Sequence, residues 1–163
     1  NWMNGEYIRK LSAEEFGKYA MPYYRQAVRR EVDYTALSAV LHDRTEKFSD
    51  IPEAIDFIDT LPEYDNELYV NKKMKTNEEI SKTSLEAILP VLETLDDWNQ
   101  DAIHQALFAL IERLSVKNGL VLFPLRVALS GKKFTPGGGV EIAEILGKEE
   151  SISRIKKRIK KLS

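Results

Sequence analysis

Apolar residues recur every three or four positions along most of this chain, the spacing that places them on one face of an α-helix. The pattern is clearest over residues 85–95, 103–114 and 152–162. The residues that form these three stripes are Leu85, Ile88, Leu89, Leu92 and Leu95; Ile103, Leu107, Leu110, Ile111 and Leu114; and Ile152, Ile155, Ile159 and Leu162. No stretch alternates apolar and polar residues long enough to indicate a β-strand. The pattern therefore predicts an all-α protein.

Short polar side chains stand where several of these helices should begin. Ser12 with Glu15 three residues later has the spacing of a capping box. Asp33, Asn99, and either Thr76 or Asn77 precede other apolar stripes and are predicted N-caps. Pro22 lies inside a helical pattern, so we expect a kink there or a restart with Pro22 in the first turn. Pro90 lies inside another helical pattern, where we expect a kink or a break into two helices. Asn118-Gly119 is predicted to end the helix over 103–114.

Residues 61–76 interrupt the helical periodicity and are rich in turn formers. We place a subdomain boundary within this segment, near Leu68. The predicted organisation is two small helical bundles, residues 1–68 and residues 69–163.

The amino-acid composition excludes several kinds of functional site. The chain has 163 residues, no cysteine and two histidines, which excludes a disulfide framework and any thiolate or histidine-rich metal site. No apolar run reaches the length of a transmembrane helix, and no signal peptide opens the chain. The sequence does not begin with Met. We interpret it as a fragment of a longer cytoplasmic protein.

Charge is unevenly distributed along the chain although the net charge is only −2. Residues 43–101 carry 6 basic and 16 acidic residues, a net charge of −10, whereas residues 102–163 carry 12 basic and 5 acidic residues, a net charge of +7. Such a chain can turn a basic face toward a polyanion and an acidic face away from it. The alternative is that most of these charges are solvated helix faces.

The central stretch, residues 123–147, concentrates candidate chemistry. Arg126 lies in a short apolar helix predicted over 122–129, which Ser130-Gly131 should end. A basic loop containing Lys132 and Lys133 follows, and Thr135-Pro136 is predicted to start the next helix. Cations beside a helix N-terminus would suit a phosphate. The same residues are also common in ordinary turns that end one helix of a bundle and begin the next.

The C-terminal helix is amphipathic, with a single apolar stripe and a basic opposite face. We weigh packing with a solvated basic face first, RNA contact second and a membrane surface last. The residues assigned to the basic face are Arg154, Lys156, Lys157, Arg158, Lys160 and Lys161.

Two separated segments resemble one known family. The matching segments are Pro124-Leu125-Arg126, Ala128 to Gly131, Thr135-Pro136-Gly137 and Ile145-Leu146-Gly147, and at the start of the chain Asn1 to Arg9. They resemble the C-terminal anticodon-binding region of bacterial-type glutamyl-tRNA synthetases. The resemblance covers both ends of the chain and implies a helical cage that holds the anticodon loop of glutamate tRNA.

The resemblance also assigns roles to individual residues. It implies that Arg126 contacts an anticodon base or its phosphate, and that Thr135 and Pro136 form the adjacent surface. Lys132 and Lys133 would add positive charge, and Gly138 occupies the place where the family usually has a bulky apolar residue. Arg44 matches, less tightly, an arginine that in the family helps to read the third anticodon base and reject glutamine tRNA.

The resemblance implies a glutamate–tRNA ligase whose catalytic domain lies outside this chain. We find no nucleophile–base constellation, so we expect no catalytic residue, no metal site and no activity from this fragment alone. ATP and Mg²⁺ are expected only in the missing catalytic domain. The expected partners are glutamate tRNA and that domain, with no membrane and no second copy of the chain. The alternative is a helical protein-interaction module, without an RNA role, that uses the acidic middle segment.

Overall fold

The structure is a computed structural model that describes residues 5–163. This part of the chain forms nine α-helices and no β-strand, and its one β-bridge pairs Asn71 with Thr76. The predicted all-α class is confirmed. The α-helices are α1 Gly5–Lys10, α2 Ala13–Ala27, α3 Tyr34–His42, α4 Ile51–Ala54, α5 Glu78–Glu93, α6 Gln100–Leu114, α7 Gly119–Ser130, α8 Gly139–Leu146 and α9 Lys148–Leu162; 3-10 turns span Phe48–Asp50 and Asn66–Tyr69. The predicted match over Asn1 to Asn4 lies outside the described residues.

The helix starts follow the local rules. The side chain of Ser12 accepts a hydrogen bond from the Glu15 N–H at 3.1 Å, and the Glu15 carboxylate accepts one from the Ser12 N–H at 3.0 Å. Asp33, Asn77 and Asn99 each accept a bond from the N–H three residues later. These caps satisfy backbone N–H groups that have no partner inside the helix. The predicted capping box and N-caps are confirmed, with Asn77 rather than Thr76 at the start of α5.

Other predicted boundaries were wrong. Helix α6 ends at Leu114, because Ser115 takes the left-handed conformation at φ 54°, and Asn118-Gly119 begins α7 instead of ending α6. Helices α2 and α5 run through Pro22 and Pro90 without a restart or a break, so those alternatives are wrong, and the kink at each proline stays a prediction. Both prolines are on exposed faces, where water can solvate the carbonyl that lacks its helical partner. Packing of the opposite faces then holds each helix together.

The core joins both halves of the chain. Helix α5 packs against α6, α7 and α9, α2 packs against α3 and α4, and α8 contacts α3, α6, α7 and α9. The buried apolar side chains form one cluster that extends from Ile8 to Ile155. The division into subdomains at residue 68 stays a prediction.

Two of the predicted basic-face residues of α9 are buried. Arg154 is 1% exposed and Arg158 is 4% exposed, whereas the four lysines of that face are exposed. Their assignment to an outer face was therefore wrong. The reason is tertiary, because the Arg154 guanidinium donates to backbone carbonyls of other segments and the Arg158 guanidinium contacts Tyr64 and Asn66.

Arg154 ties three parts of the fold together. Its guanidinium donates to the carbonyls of Phe57 at 2.8 Å, Ile58 at 2.9 Å and Leu129 at 2.7 Å. Its Nε donates to the Glu150 carboxylate at 2.7 Å. Since Leu129 lies in the last turn of α7, Arg154 fixes the end of the helix that carries Arg126 to the segment after α4.

Arg158 fixes the irregular segment beyond residue 61. Its guanidinium carbon lies 3.6 Å from the centroid of the Tyr64 ring, and Nη1 donates to Asn66 Oδ1 at 2.7 Å. A stacked, hydrogen-bonded arginine orders a segment whose own helical structure is limited to one short 3-10 turn.

Candidate nucleic-acid interface

Helix α7 places Arg126 beside the loop that follows the helix. The helix is apolar along most of its length and ends at Gly131, whose φ is 66° and whose N–H donates to the Val127 carbonyl at 2.7 Å. A Cβ on Gly131 would lie 2.8 Å from the Tyr64 ring, so only glycine fits this helix end. The predicted glycine stop is confirmed, although the helix is longer than the predicted 122–129 at both ends.

The residues after the lysines do not start the next helix, which corrects the prediction for Thr135-Pro136. Helix α8 begins at Gly139, with Gly138 in the N-cap position. Gly137 has a φ of 80°, a conformation that a helix cannot contain. The Thr135 hydroxyl donates to the Gly137 carbonyl at 2.8 Å, so it stabilises a turn instead of capping a helix.

The N-terminus of α8 is not bare. The Glu141 carboxylate accepts the Gly138 N–H at 3.1 Å and places a negative charge at the helix start. A phosphate would be repelled from this position. The predicted helix N-terminus at Thr135-Pro136 is therefore wrong, and Glu141 makes the actual start of α8 less favourable for an anion. Phosphate binding by Arg126 and the loop lysines stays a prediction.

Arg126 braces the connection between α7 and α8, which we call the α7–α8 loop (residues 131–138). Its Nη2 donates to the Lys133 carbonyl at 3.0 Å, and its Nη1 donates to Thr135 Oγ1 at 3.3 Å. Its guanidinium carbon lies 5.6 Å from the centroid of the Phe123 ring. Burial lowers the pKa of Arg126 from its ordinary value. None of the ion pairs found within residues 5–163 involves Arg126, so its charge is not neutralised there by a carboxylate.

The α7–α8 loop separates two clefts that together contain most of the predicted site residues. The first, the Arg126 cleft, has a volume of about 420 Å³ and is lined by Arg126 and Gly138 together with Phe108, Phe123 and Glu141. Its size falls in the range of about 300–1,000 Å³ typical of small-molecule sites.

The second, the Arg44 cleft, has a volume of about 280 Å³. It is lined by Arg44, Lys132, Phe134, Thr135 and Pro136, among other residues. Arg44, which is far from the loop in sequence, therefore joins the predicted surface.

Arg44 reaches this cleft from just beyond the end of α3. Helix α3 ends at His42, so Arg44 is exposed in the turn that follows the helix. Its Nη1 donates to the Val40 carbonyl at 2.7 Å. A cation is favourable at a helix C-terminus, and this bond holds the guanidinium in place with other N–H groups still available.

The two loop lysines differ in how far they are engaged. Lys132 Nζ pairs with the Asp56 carboxylate and donates to the Glu53 carbonyl at 2.9 Å, so its charge is largely used inside the protein. Lys133 is exposed, and its Nζ lies 5.7 Å from the centroid of the Phe134 ring. The positive charge that the loop presents to solvent therefore comes mainly from Lys133.

The sequence interpretation missed the aromatic residues around the loop. Phe123 lines the Arg126 cleft, and an exposed His104 ring stacks on Phe108 at 4.1 Å beside it. Phe134 lies on the loop itself and is 79% exposed. The detectable signal was a phenylalanine placed among lysines, threonine and proline in a loop, where burial gives no reason for it.

Within the described residues, no group of three or more His, Asp or Glu side chains could hold a metal ion. None of the helices formed by residues 5–163 is long and apolar enough to span a membrane.

The chain matches a known domain family and proteins that contain it. A family model described as an anticodon binding domain matches residues 15–159. Relatives described as glutamate–tRNA ligases are 59% identical over 161 residues in Clostridium tetani and 57% identical over 162 residues in Clostridium acetobutylicum. Each match covers 99% of this chain and 33% of the relative, so the chain spans about a third of the length of these curated relatives.

Solved structures agree with this match. The crystal structure of a glutamate tRNA ligase from Elizabethkingia meningosepticum superposes with a TM-score of 0.79 at 25% identity, covering 98% of this chain and 31% of that one. A glutamate–tRNA synthetase from Elizabethkingia anophelis gives a TM-score of 0.74 at 23% identity, which supports the same fold. The resemblance predicted from the sequence is confirmed, and the chain belongs to the anticodon-binding domain family, in the form that occurs in bacterial glutamate–tRNA ligases.

Proposed function

We propose that this chain is the tRNA-recognition part of a glutamate–tRNA ligase and binds the anticodon loop of glutamate tRNA. One observation carries this proposal: Arg126 braces a loop whose residues line two clefts, and all the residues implied by the resemblance except Lys133 line one or the other. Proteins recognise RNA loops by binding unstacked bases in such clefts and forming hydrogen bonds to the edges of the bases.

The two clefts suit different contacts. In the Arg126 cleft, a base would meet the Phe123 ring and the guanidinium of Arg126, which uses two of its five N–H donors in the free protein. In the Arg44 cleft, a base would meet Pro136 and Thr135, with Arg44 positioned to bond a base edge. We propose that Arg44 contributes to preference for glutamate tRNA over glutamine tRNA.

Gly138 leaves room for a base in the Arg126 cleft, because glycine has no side chain. It lines the Arg126 cleft beside Glu141 and has no side chain to stack on a base. We propose that the space left at Gly138 admits the base.

Catalysis is proposed to lie in the part of the enzyme outside this chain. A ligase of this kind uses ATP and Mg²⁺, and the glycine-rich end of the α7–α8 loop does not fit a nucleotide phosphate, because Glu141 occupies the adjacent helix start. This chain would bind one tRNA as a single copy and contact its own catalytic domain.

Binding curves at two salt concentrations test the proposal. Phosphate contacts release counterions, so the affinity of the protein for glutamate tRNA should fall steeply between about 50 and about 200 mM salt. A helical protein-interaction module that works through its acidic middle segment would not bind glutamate tRNA at either concentration. Absence of binding would therefore favour that alternative and refute the proposed function.

Two variants divide the binding into specific and unspecific parts. Arg44→Gln should reduce the preference for glutamate tRNA over glutamine tRNA by about 5-fold or more, because one good base contact is worth about 1–3 kcal/mol. Replacing the exposed Lys156, Lys157 and Lys160 by Gln should weaken both tRNAs alike. The slope of the logarithm of affinity against the logarithm of salt concentration should also become less steep, by about one unit for each phosphate that the protein no longer neutralises. If Arg44→Gln weakens both tRNAs equally, Arg44 contacts only the backbone.

A further inference from the structure

Phe134 is the most exposed large apolar side chain among the residues that the structure describes. It is 79% exposed, compared with 62% for Tyr7 and 52% for Val70. An isolated exposed apolar residue needs no explanation in itself. Here three further observations concern the same ring: the rigidity of its backbone, the charge beside it and the cleft that it lines.

The residues on both sides of Phe134 are held by one side chain. Arg126 donates to the Lys133 carbonyl at 3.0 Å and to Thr135 Oγ1 at 3.3 Å, so its guanidinium holds the residue before Phe134 and the residue after it. The Thr135 hydroxyl in turn donates to the Gly137 carbonyl at 2.8 Å. The loop therefore presents the ring to solvent from a braced position, which lowers the entropy lost when a partner binds.

One cation and an open cleft adjoin the ring, although Asp50 also lines that cleft and Asp65 and Glu67 line a neighbouring one with Lys133. Lys133 Nζ lies 5.7 Å from the ring centroid, and no carboxylate pairs with it among the ion pairs of residues 5–163. The ring also lines the Arg44 cleft with Arg44 and Pro136. An exposed aromatic face beside a free cation suits an unpaired nucleotide, whose base stacks on the ring while its phosphate meets the charge.

We propose that Phe134 is a stacking platform for one unpaired nucleotide of the bound RNA loop, with Lys133 contacting that nucleotide's phosphate. The inference rests on the proposed function. The platform is tolerant of base identity, since every base offers a π-face. Phe134 therefore contributes affinity and orders the loop over the Arg44 cleft, while Arg44 provides selectivity.

Three substitutions of Phe134 test the stacking. The probe is a fluorescently labelled anticodon stem-loop of glutamate tRNA, and its anisotropy is measured against protein concentration at one fixed salt concentration. Phe134→Ala should weaken binding by about 5- to 150-fold, the range for loss of one stacked base. Phe134→Leu should weaken it nearly as much, because leucine is apolar but has no π-face. Phe134→Trp should bind at least as tightly as the unsubstituted protein.

Leu114→Ala is the matched control, since Leu114 is also an exposed apolar residue but lies at the end of α6. It should leave the affinity unchanged. If Phe134→Ala binds as the unsubstituted protein does, the stacking inference is wrong while the proposed function stands. If Phe134→Leu retains full affinity, the contact is apolar and not stacking, which also overturns the inference. If the unsubstituted protein does not bind the stem-loop, the proposed function fails first.

Discussion

Replacing Arg154 by alanine should lower the free energy of unfolding by about 3–5 kcal/mol, more than a substitution at any exposed position of α9. The side chain is 1% exposed and donates to the carbonyls of Phe57, Ile58 and Leu129. Its removal leaves these carbonyls without a donor in the interior, and each buried unsatisfied group costs about 1–3 kcal/mol. Urea denaturation followed by circular dichroism measures the change.

Lys157→Ala provides the control on the same helix. Lys157 is exposed, so the free energy of unfolding should change by no more than about 0.5 kcal/mol. A decrease of less than about 1 kcal/mol for Arg154→Ala would mean that water replaces the arginine at little cost. Arg154 would then not be what fixes α7 to the segment after α4.

Replacing Arg126 by alanine should weaken binding of glutamate tRNA by about 5- to 150-fold, equivalent to about 1–3 kcal/mol, with the helices intact. Two effects act together: the base or phosphate is no longer bound by the guanidinium, and the Lys133 carbonyl and Thr135 hydroxyl are left without the donor that braces the α7–α8 loop. The measurement is a binding curve for glutamate tRNA, with a circular-dichroism spectrum of each variant.

Arg126→Lys separates charge from geometry. Lysine retains the positive charge but cannot hold two acceptors with the planar fork of a guanidinium. It should therefore recover only a small part of the affinity that alanine removes. Unchanged affinity for Arg126→Ala with a native spectrum would refute the assignment, and a loss of helix content would instead give Arg126 a structural role.

The local features of the fold were readable from the sequence. Ser12 with Glu15, Asp33 and Asn99 cap helices through contacts within three residues, so short-range patterns suffice to predict them. Gly131 was predictable for the same reason. The resemblance associated Arg126, Thr135 and Arg44 with one function, which periodicity alone could not do.

The failures have physical causes of two kinds. Thr135-Pro136 satisfies the rules for a helix start, but the left-handed Gly137 delays α8 to Gly139, because three glycines in a row make several turns equally accessible. Arg154 carries a charge that a helical pattern assigns to solvent. Its burial depends on carbonyls 25 or more residues away in sequence, which no local pattern contains.

The central claim is that this chain holds the anticodon loop of glutamate tRNA, and ribonuclease footprinting of that tRNA tests it most directly. The tRNA is labelled at one end and cleaved with and without saturating protein, and the Arg126→Ala variant at the same concentration serves as the comparison. We expect protection of the anticodon loop and its adjoining stem, no protection of the acceptor end, and weaker protection with the variant. Protection confined to the acceptor end, or none at concentrations that saturate binding, would contradict the account.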